Sequence, residues 1–102
     1  MMIIAPLKEA TNLINGVYSG YINKVLPTQV YKYGYLIYNI NGSATITIKV
    51  STDNINWLQV YSQTLNNVSG SQVIELIGLF VKIEINATVN AGSFVSFVRS
   101  SG

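Results

Sequence analysis

Ser43-Ala44-Thr45-Ile46-Thr47-Ile48-Lys49-Val50-Ser51 alternates without a break. Ala44, Ile46, Ile48 and Val50 fall on one side, and Thr45, Thr47, Lys49 and Ser51 on the other. Period 2 is the side-chain spacing of a β-strand, and an apolar row backed by a polar row marks a strand with one face on a core. Residues 79–86 repeat the pattern. Leu79, Val81, Ile83 and Ile85 are expected to point inward, and Phe80, Lys82, Glu84 and Asn86 outward.

Working outward, Asn41-Gly42 stands just before the first of these strands. It reads as a hairpin turn, because a type I′ turn needs positive φ at both central residues. Residues 29–40 read as a long strand before it. Tyr31, Tyr33, Tyr35 and Ile37 occupy its odd positions, and Gly34, Leu36, Tyr38 and Ile40 its even ones. Apolar bodies on both rows predict a central strand covered on both faces. Residues 17–23 read as an earlier strand, opened by the turn pair Asn15-Gly16 and closed off by Pro27. Beyond Ser51, residues 52–56 turn and residues 57–63 return as a strand. A second polar loop is expected over 66–71, a strand over 72–77, a bend at Gly78, and a last strand over 93–98 after Asn90-Ala91-Gly92.

The count is seven or eight short strands with turn signals about every 8 to 12 residues, the pattern of an all-β sandwich or barrel. The expected fold is one antiparallel β-sandwich of jelly-roll type. An arm is expected over residues 1–13 and the sandwich domain over 14–102. The start of the arm has two open placements, on a neighbouring molecule or in the chain's own core. One domain of this length buries roughly 65% of its unfolded surface, enough for a core without staples.

Composition narrows the function. Charged residues make up 10% of the chain, against roughly 25% in an ordinary soluble domain. The outward rows carry Asn, Ser, Thr, Gln and Tyr instead. Such a surface repels its neighbours weakly, so much of it is expected to meet other protein or another ligand. The chain has no cysteine and no histidine. Disulfides and thiolate metal sites are excluded, and so is the side chain most used for proton transfer near neutral pH. Six scattered basic residues and a net charge of +2 make no nucleic-acid footprint. No apolar run approaches the roughly 20 residues of a membrane-spanning helix. The opening Met1-Met2-Ile3-Ile4-Ala5-Pro6 lacks the basic start and the apolar length of a conventional export signal.

Catalytic and metal chemistry find little support. Glu75 and Glu84 lie on neighbouring expected strands, and a carboxylate pair serves glycoside hydrolysis. Solvated strand charges, with Glu84 beside Lys82, are the simpler reading. Asp53-Asn54-Ile55-Asn56 offers oxygen ligands, but calcium needs six to eight of them. Asp and Asn in turns ordinarily bond their own backbone. No metal, cofactor or catalytic residue is expected.

Six of the seven tyrosines lie between Tyr18 and Tyr38. Tyrosine joins a large apolar body to a hydroxyl that wants a partner. A Tyr31–Tyr33–Tyr35 ladder, with Tyr38 and Trp57, is the candidate binding surface. It has three readings: a protein interface, a sugar-stacking platform, or ordinary strand packing. Asn41, Asn67 and Asn86 open Asn-x-Ser/Thr triplets and are candidate glycosylation sites. With 11 Asn and 17 Ser plus Thr, chance alone supplies about two such triplets.

Ser51-Thr52-Asp53-Asn54-Ile55-Asn56-Trp57 resembles a turn of small β-sandwich virion proteins of tailed phages and other viruses, and of discoidin-like modules that bind carbohydrate or lipid. In that pattern a strand ends in Ser, x-Asp-Gly-x-x-Trp follows, and the next strand leaves. Asn54 stands where Gly is usual, and Asn also tolerates the left-handed conformation. The resemblance implies that Asp53 caps the turn and Trp57 covers the edge of the sandwich. Phe80-Val81-Lys82-Ile83-Glu84-Ile85 and the Asn90-Ala91-Gly92-Ser93 turn are similar to the closing hairpin of those virion proteins. The likeness runs from about Tyr33 to Val98 and carries over no ligand residue.

Together these readings imply a non-enzymatic structural protein of a virion, capsid-associated or in a tail or spike. Its partners would be its own copies and other virion proteins, with neither nucleic acid nor a membrane span. The alternative is a carbohydrate-binding or adhesion module, with Trp57, Tyr31, Tyr33 and Tyr35 stacking on a host-surface glycan.

Overall fold

The computed structural model describes residues 4–6, 16–28 and 31–101, with residues 4–6 and 16–27 described by their backbone. Among the described residues there are six antiparallel strands: β1 (Ile4–Pro6), β2 (Gly16–Pro27), β3 (Tyr33–Ser51), β4 (Leu58–Glu75), β5 (Phe80–Val89) and β6 (Phe94–Ser100). Two of them, β3 with 19 residues and β4 with 18, far exceed the usual strand. They run side by side as one long hairpin. On its other side β3 changes partner along its length. Tyr33 to Asn39 pair with β6, and Gly42 to Ser51 pair with β5. β1 continues the sheet beyond β6, and β2 continues it beyond β5. The result is two layers, β1-β6-β3-β4 and β2-β5-β3-β4, that share the hairpin.

The layers meet at a bend inside β3. Ile40 faces Val68 and Ser43 faces Asn66, so Asn41 and Gly42 together oppose Asn67 alone. This is a β-bulge, the device that turns a strand pair sharply. Gly42 takes φ 124° and Asn67 φ 46°, and the Gly42 N–H donates to Asn67 Oδ1 at 3.0 Å. The Asn41 carbonyl accepts from the Asn90 N–H at 2.7 Å, and the Asn41 N–H donates to Ser93 Oγ at 2.8 Å. The bend is therefore tied to the β5–β6 turn.

Because the hairpin folds over, apolar rows of both halves close on one core. Leu36, Val95 and Phe97 from the first layer share a cluster with Ile46, Ile48 and Ile83 from the second. Each of these six is at most 1% exposed. Tyr38 from the first layer and Tyr61 from the second pack against the same cluster. Burial, reinforced by Tyr38, pushes the Tyr61 hydroxyl pKa up. Gly34 leaves room for the Phe97 ring, which an added Cβ would run into. The thinnest dimension, 18 Å, holds two sheets, which stack about 10 Å apart.

The alternating rows lie as expected in β3 from Ala44 to Val50 and in β5 from Val81 to Ile85. Other expectations are corrected. Among the described residues there are six strands, two of them long, rather than seven or eight short ones. Asn41-Gly42 is not a hairpin turn, since β3 bends there but continues through it without reversing. Residues 66–71 are not a loop but the middle of β4, a strand with solvent on most of its side chains. Leu79 precedes β5 and stays 49% exposed. The first half of β3 has neighbours on both edges, but its odd row is open rather than covered. Ile4 to Pro6, from the expected arm, pair with Val98 to Ser100 of the same chain. The remainder of the arm, the Asn15 half of the Asn15-Gly16 turn, and residues 29–30 lie outside the described residues.

Candidate functional site

The outward row of the first layer is the candidate site. Tyr33, Tyr35, Ile37 and Asn39 alternate with the buried Gly34, Leu36 and Ile40 along β3. Register brings Glu75, Val73 and Ser71 of β4 beside them on one side. Val98, Ser96 and Phe94 of β6 lie on the other, while Ser100, opposite Tyr33, is fully buried. Directly opposed residues of antiparallel strands share a face, so this is one surface three strands wide. Tyr33, Ile37 and Val73 are 37%, 47% and 55% exposed, and Tyr35, Phe94 and Val98 are half-buried. Glu75 is the one charge in these rows.

The outward row of the second layer is built differently. Thr45 Oγ1 and Thr64 Oγ1 lie 3.0 Å apart, and Thr47 Oγ1 and Ser62 Oγ 3.1 Å apart. Glu84 Oε1 sits 3.6 Å from Lys49 Nζ and 3.7 Å from Lys82 Nζ. Paired hydroxyls and a small charge network suit contact with water. Among the described residues the two outer faces thus differ, one aromatic and nearly uncharged, the other hydroxylic and charged along β3, β4 and β5, with Trp57 and Phe80 at its end.

The structure divides the expected aromatic set. Tyr33 and Tyr35 share the first face. Tyr31 lies before β3 begins, packs on the core, and has the Arg99 guanidinium 4.7 Å from its ring centroid. Tyr38 belongs to the inward row. Trp57 is half-buried on the other layer, with Lys82 Nζ 4.7 Å from its ring centroid. The Tyr31–Tyr33–Tyr35 ladder is therefore reduced to Tyr33 and Tyr35, and Trp57 does not join them. Glu75 and Glu84 form no pair, with Glu75 beside Tyr33 and Glu84 between Lys49 and Lys82 on the other layer, the solvated placement the sequence favours. Ile37, Val73, Phe94 and Val98 were not singled out from sequence as site residues. Ile37 follows Tyr33 and Tyr35 at period 2, which is the signal that finds it. The other three become neighbours only through register.

The loop between β3 and β4 is held by its own side chains. Ser51 Oγ accepts from the Asp53 and Asn54 N–H groups at 3.2 and 3.0 Å and donates to Asp53 Oδ1 at 2.9 Å. Asp53 Oδ1 accepts from the Ile55 and Asn56 N–H groups at 2.9 and 2.8 Å, and Oδ2 from Asn56 Nδ2 at 2.7 Å. Asn54 takes φ 62°. With its oxygens committed inside the loop, Asp53 has a capping geometry rather than a metal-binding one. The Asn56 N–H, then the Ile55 N–H, hold its carboxyl well below the ordinary carboxylate range. A depressed folded-state pKa gives stabilisation that is complete above the unfolded value of about 3.9 and fades only as pH falls through the folded value. An NMR titration of the Asp53 carboxyl carbon is expected to show no midpoint near pH 4, and a midpoint there would mean that the loop is open.

The triplet asparagines are placed by the same geometry. Asn41 Nδ2 donates to the Ala91 carbonyl at 3.3 Å, Asn67 Oδ1 holds Gly42, and Asn86 is exposed on β5. Asn39, Asn41 and Asn67 line an amide-rich hollow of about 350 Å³ at the bend. Trp57, Leu58 and Ile77 line another of about 300 Å³ at the end of the second layer.

No family model and no curated protein matches the chain in sequence. The fold is that of phage-derived and carbohydrate-binding β-sandwich modules. SPBc2 prophage-derived protein YomS is similar with a TM-score of 0.68 and 10% identity, over 99% of this chain and 96% of that one. PBSX exported protein XepA is similar with a TM-score of 0.65 and 13% identity over 98% of this chain. The likeness spans 37% of XepA. A mutant family 29 carbohydrate-binding module complexed with mannohexaose gives a TM-score of 0.53 and 13% identity, over 100% of this chain and 94% of that one. At such identities the likeness is one of fold.

Proposed function

We propose that the chain is a non-enzymatic structural module of a phage-type particle, capsid-associated or in a tail or spike, that assembles through the Tyr33–Tyr35–Ile37 face. The carrying observation is the contrast between its two outer faces. Large exposed apolar side chains packed side by side mark contact surfaces, and aromatics are enriched where proteins meet. Glu75 lies at one corner, so two such faces approach without crowding charges together. Likeness in fold to YomS and XepA supports the phage setting. On this reading the protein resides in the virion, and its partners are copies of itself and other particle proteins.

Carbohydrate binding is the second reading, favoured by one observation: the exposed Tyr33 and half-buried Tyr35 rings on a fold similar to that of a module complexed with mannohexaose. The rings available to it are Tyr33 and Tyr35, since Lys82 lies over Trp57 and Tyr31 packs inward. Two substitutions separate the readings. Ile37→Lys on the first face is expected to lower the mass of the assembly in size-exclusion light scattering, and Thr45→Lys on the second face to leave it unchanged. Surface substitutions usually change folding stability by no more than about 0.5 kcal/mol, so Ile37→Lys should melt like wild type; Thr45 is half-buried and faces Thr64, so a melting curve first checks that Thr45→Lys is folded. A wild-type protein no heavier than Ile37→Lys that binds mannohexaose in calorimetry, and loses that binding in Tyr35→Ala, would overturn assembly through this face in favour of sugar recognition.

A further inference from the structure

A sheet ends in edges, and an edge strand leaves a row of backbone N–H and C=O groups without partners in the sheet. Among the described residues this sandwich has three edges: β1, β2 and β4. Proteins blunt such edges with proline, lysine, bulges or short strands. β1 is three residues long and contains Pro6. β2 contains Lys24, ends in Pro27 and is interrupted by two register shifts. β4 is the exception. Its 18 residues include no lysine, arginine or proline, and its one charge is Glu75 at the end.

β4 also bounds both layers, because β3 is its one strand partner. Its two irregularities fall at the Asn67 bend and near Val60, where Ile48 faces Tyr61 and Lys49 faces Gln59. Residues 68–75 between the bend and the end are free of bulges and stay in unbroken register with residues 33–40. Val73 is 55% exposed and Val68 39% exposed there, with Ser69, Ser71 and Gln72 exposed among them.

We propose that residues 68–75 of β4 pair edge to edge with the same residues of a second copy, antiparallel about a two-fold axis, joining two sandwiches into one continuous sheet. Self-pairing is favoured by charge. With the axis at Ser71 or Gln72, the two Glu75 side chains lie at opposite ends of the ladder. They are then six to eight residues apart, at least about 20 Å at 3.4 Å per residue, beyond a screening length of about 8 Å. An antiparallel ladder closed on itself satisfies equal numbers of donors and acceptors, and a two-fold contact is complete after two copies. A perpendicular axis keeps outer faces coplanar, so the Tyr33–Tyr35–Ile37 surfaces of the two copies become one. The pairing rests on the edge and not on that surface, and it holds whether the surface meets protein or sugar.

Cysteine scanning tests it directly, because the chain has no cysteine of its own. Directly opposed residues of antiparallel strands have Cα atoms about 4.5–5.5 Å apart, within disulfide range. A residue two positions from the axis is about 13 Å from its counterpart at 3.4 Å per residue. Single variants Ser69→Cys, Ser71→Cys, Gln72→Cys and Val73→Cys, with Gln63→Cys and Ile37→Cys as comparisons, are oxidised mildly in the full-length protein. Melting curves confirm that each is folded. The expected result is a disulfide-linked dimer formed several-fold more readily at Ser71 or Gln72 than at any other position. Equal yields along β4, no dimer at any β4 position, or a maximum at Gln63 overturns the pairing. A maximum at Ile37 overturns it as well, while leaving assembly through the aromatic face in place.

Discussion

Gly42→Val is expected to remove most of the protein's stability, and on a marginal domain to leave it unfolded at 37 °C. Two independent effects combine there. Gly42 holds φ 124°, a conformation that costs a β-branched residue about 1–3 kcal/mol in strain alone. An added Cβ also runs into the Thr88 carbonyl oxygen and lies 2.9 Å from Val89 Cα. Both obstacles are backbone of β5, so relief requires prying β5 from β3 at the bend that shapes the sandwich. Gly92 supplies the comparison. It too has positive φ, 93°, but a Cβ there meets nothing within 4 Å. Gly92→Ala is expected to cost about 1 kcal/mol, and Gly42→Ala clearly more. Equal losses in chemical denaturation would show that close approach to β5 does not matter.

Phe97→Ala is the second large effect. The ring is 1% exposed, sits opposite Leu36 across the β3–β6 ladder, and fills the space left by Gly34. Truncating a buried phenylalanine costs about 3–5 kcal/mol through lost burial and the cavity left behind. Total stabilities of domains are about 5–15 kcal/mol, so the loss is a large fraction of the whole. Thermal melting should fall by tens of degrees, at about 4–8 °C per kcal/mol for a domain near this size. Phe97→Leu should fall by much less. A Phe97→Ala variant with an unchanged melting temperature would mean that the two layers do not close on this ring.

These residues also show what was readable in the chain. Alternation in residues 43–51 and 79–86 was legible because each strand there has one row against a core and one against solvent. Glycine at position 42 was legible as a need for positive φ. Its role was not, because a two-residue turn and a bulge in a bending strand demand the same backbone freedom. What tells them apart is whether the chain reverses, and that depends on pairing with β5 more than 40 residues later. Residues 66–71 read as a loop because edge-strand side chains in water are chosen for solubility, which is also how loops are composed. Tyr33, Tyr35 and Ile37 were visible as a row. Val73, Phe94 and Val98 were not, since nothing local marks a residue that becomes part of a surface through registers spanning some 40 to 60 positions. Tyr31 has the right spacing, but the strand starts after it, and Arg99 from the other end of the chain stacks on it.

One physical asymmetry underlies the functional account. Among the described outward rows, paired hydroxyls and nearly all the charges fall on one layer, whose exposed apolar side chains such as Leu58 and Ile77 lie at its end, and the other layer carries Tyr33, Ile37 and Val73 along its outer face. Sedimentation of the wild-type protein over a range of concentrations tests it most directly. The expected mass at working concentration is a multiple of 11.2 kDa, falling in Ile37→Lys to no more than that of the β4-paired dimer. A wild-type protein that stays at 11.2 kDa up to millimolar concentration would contradict it.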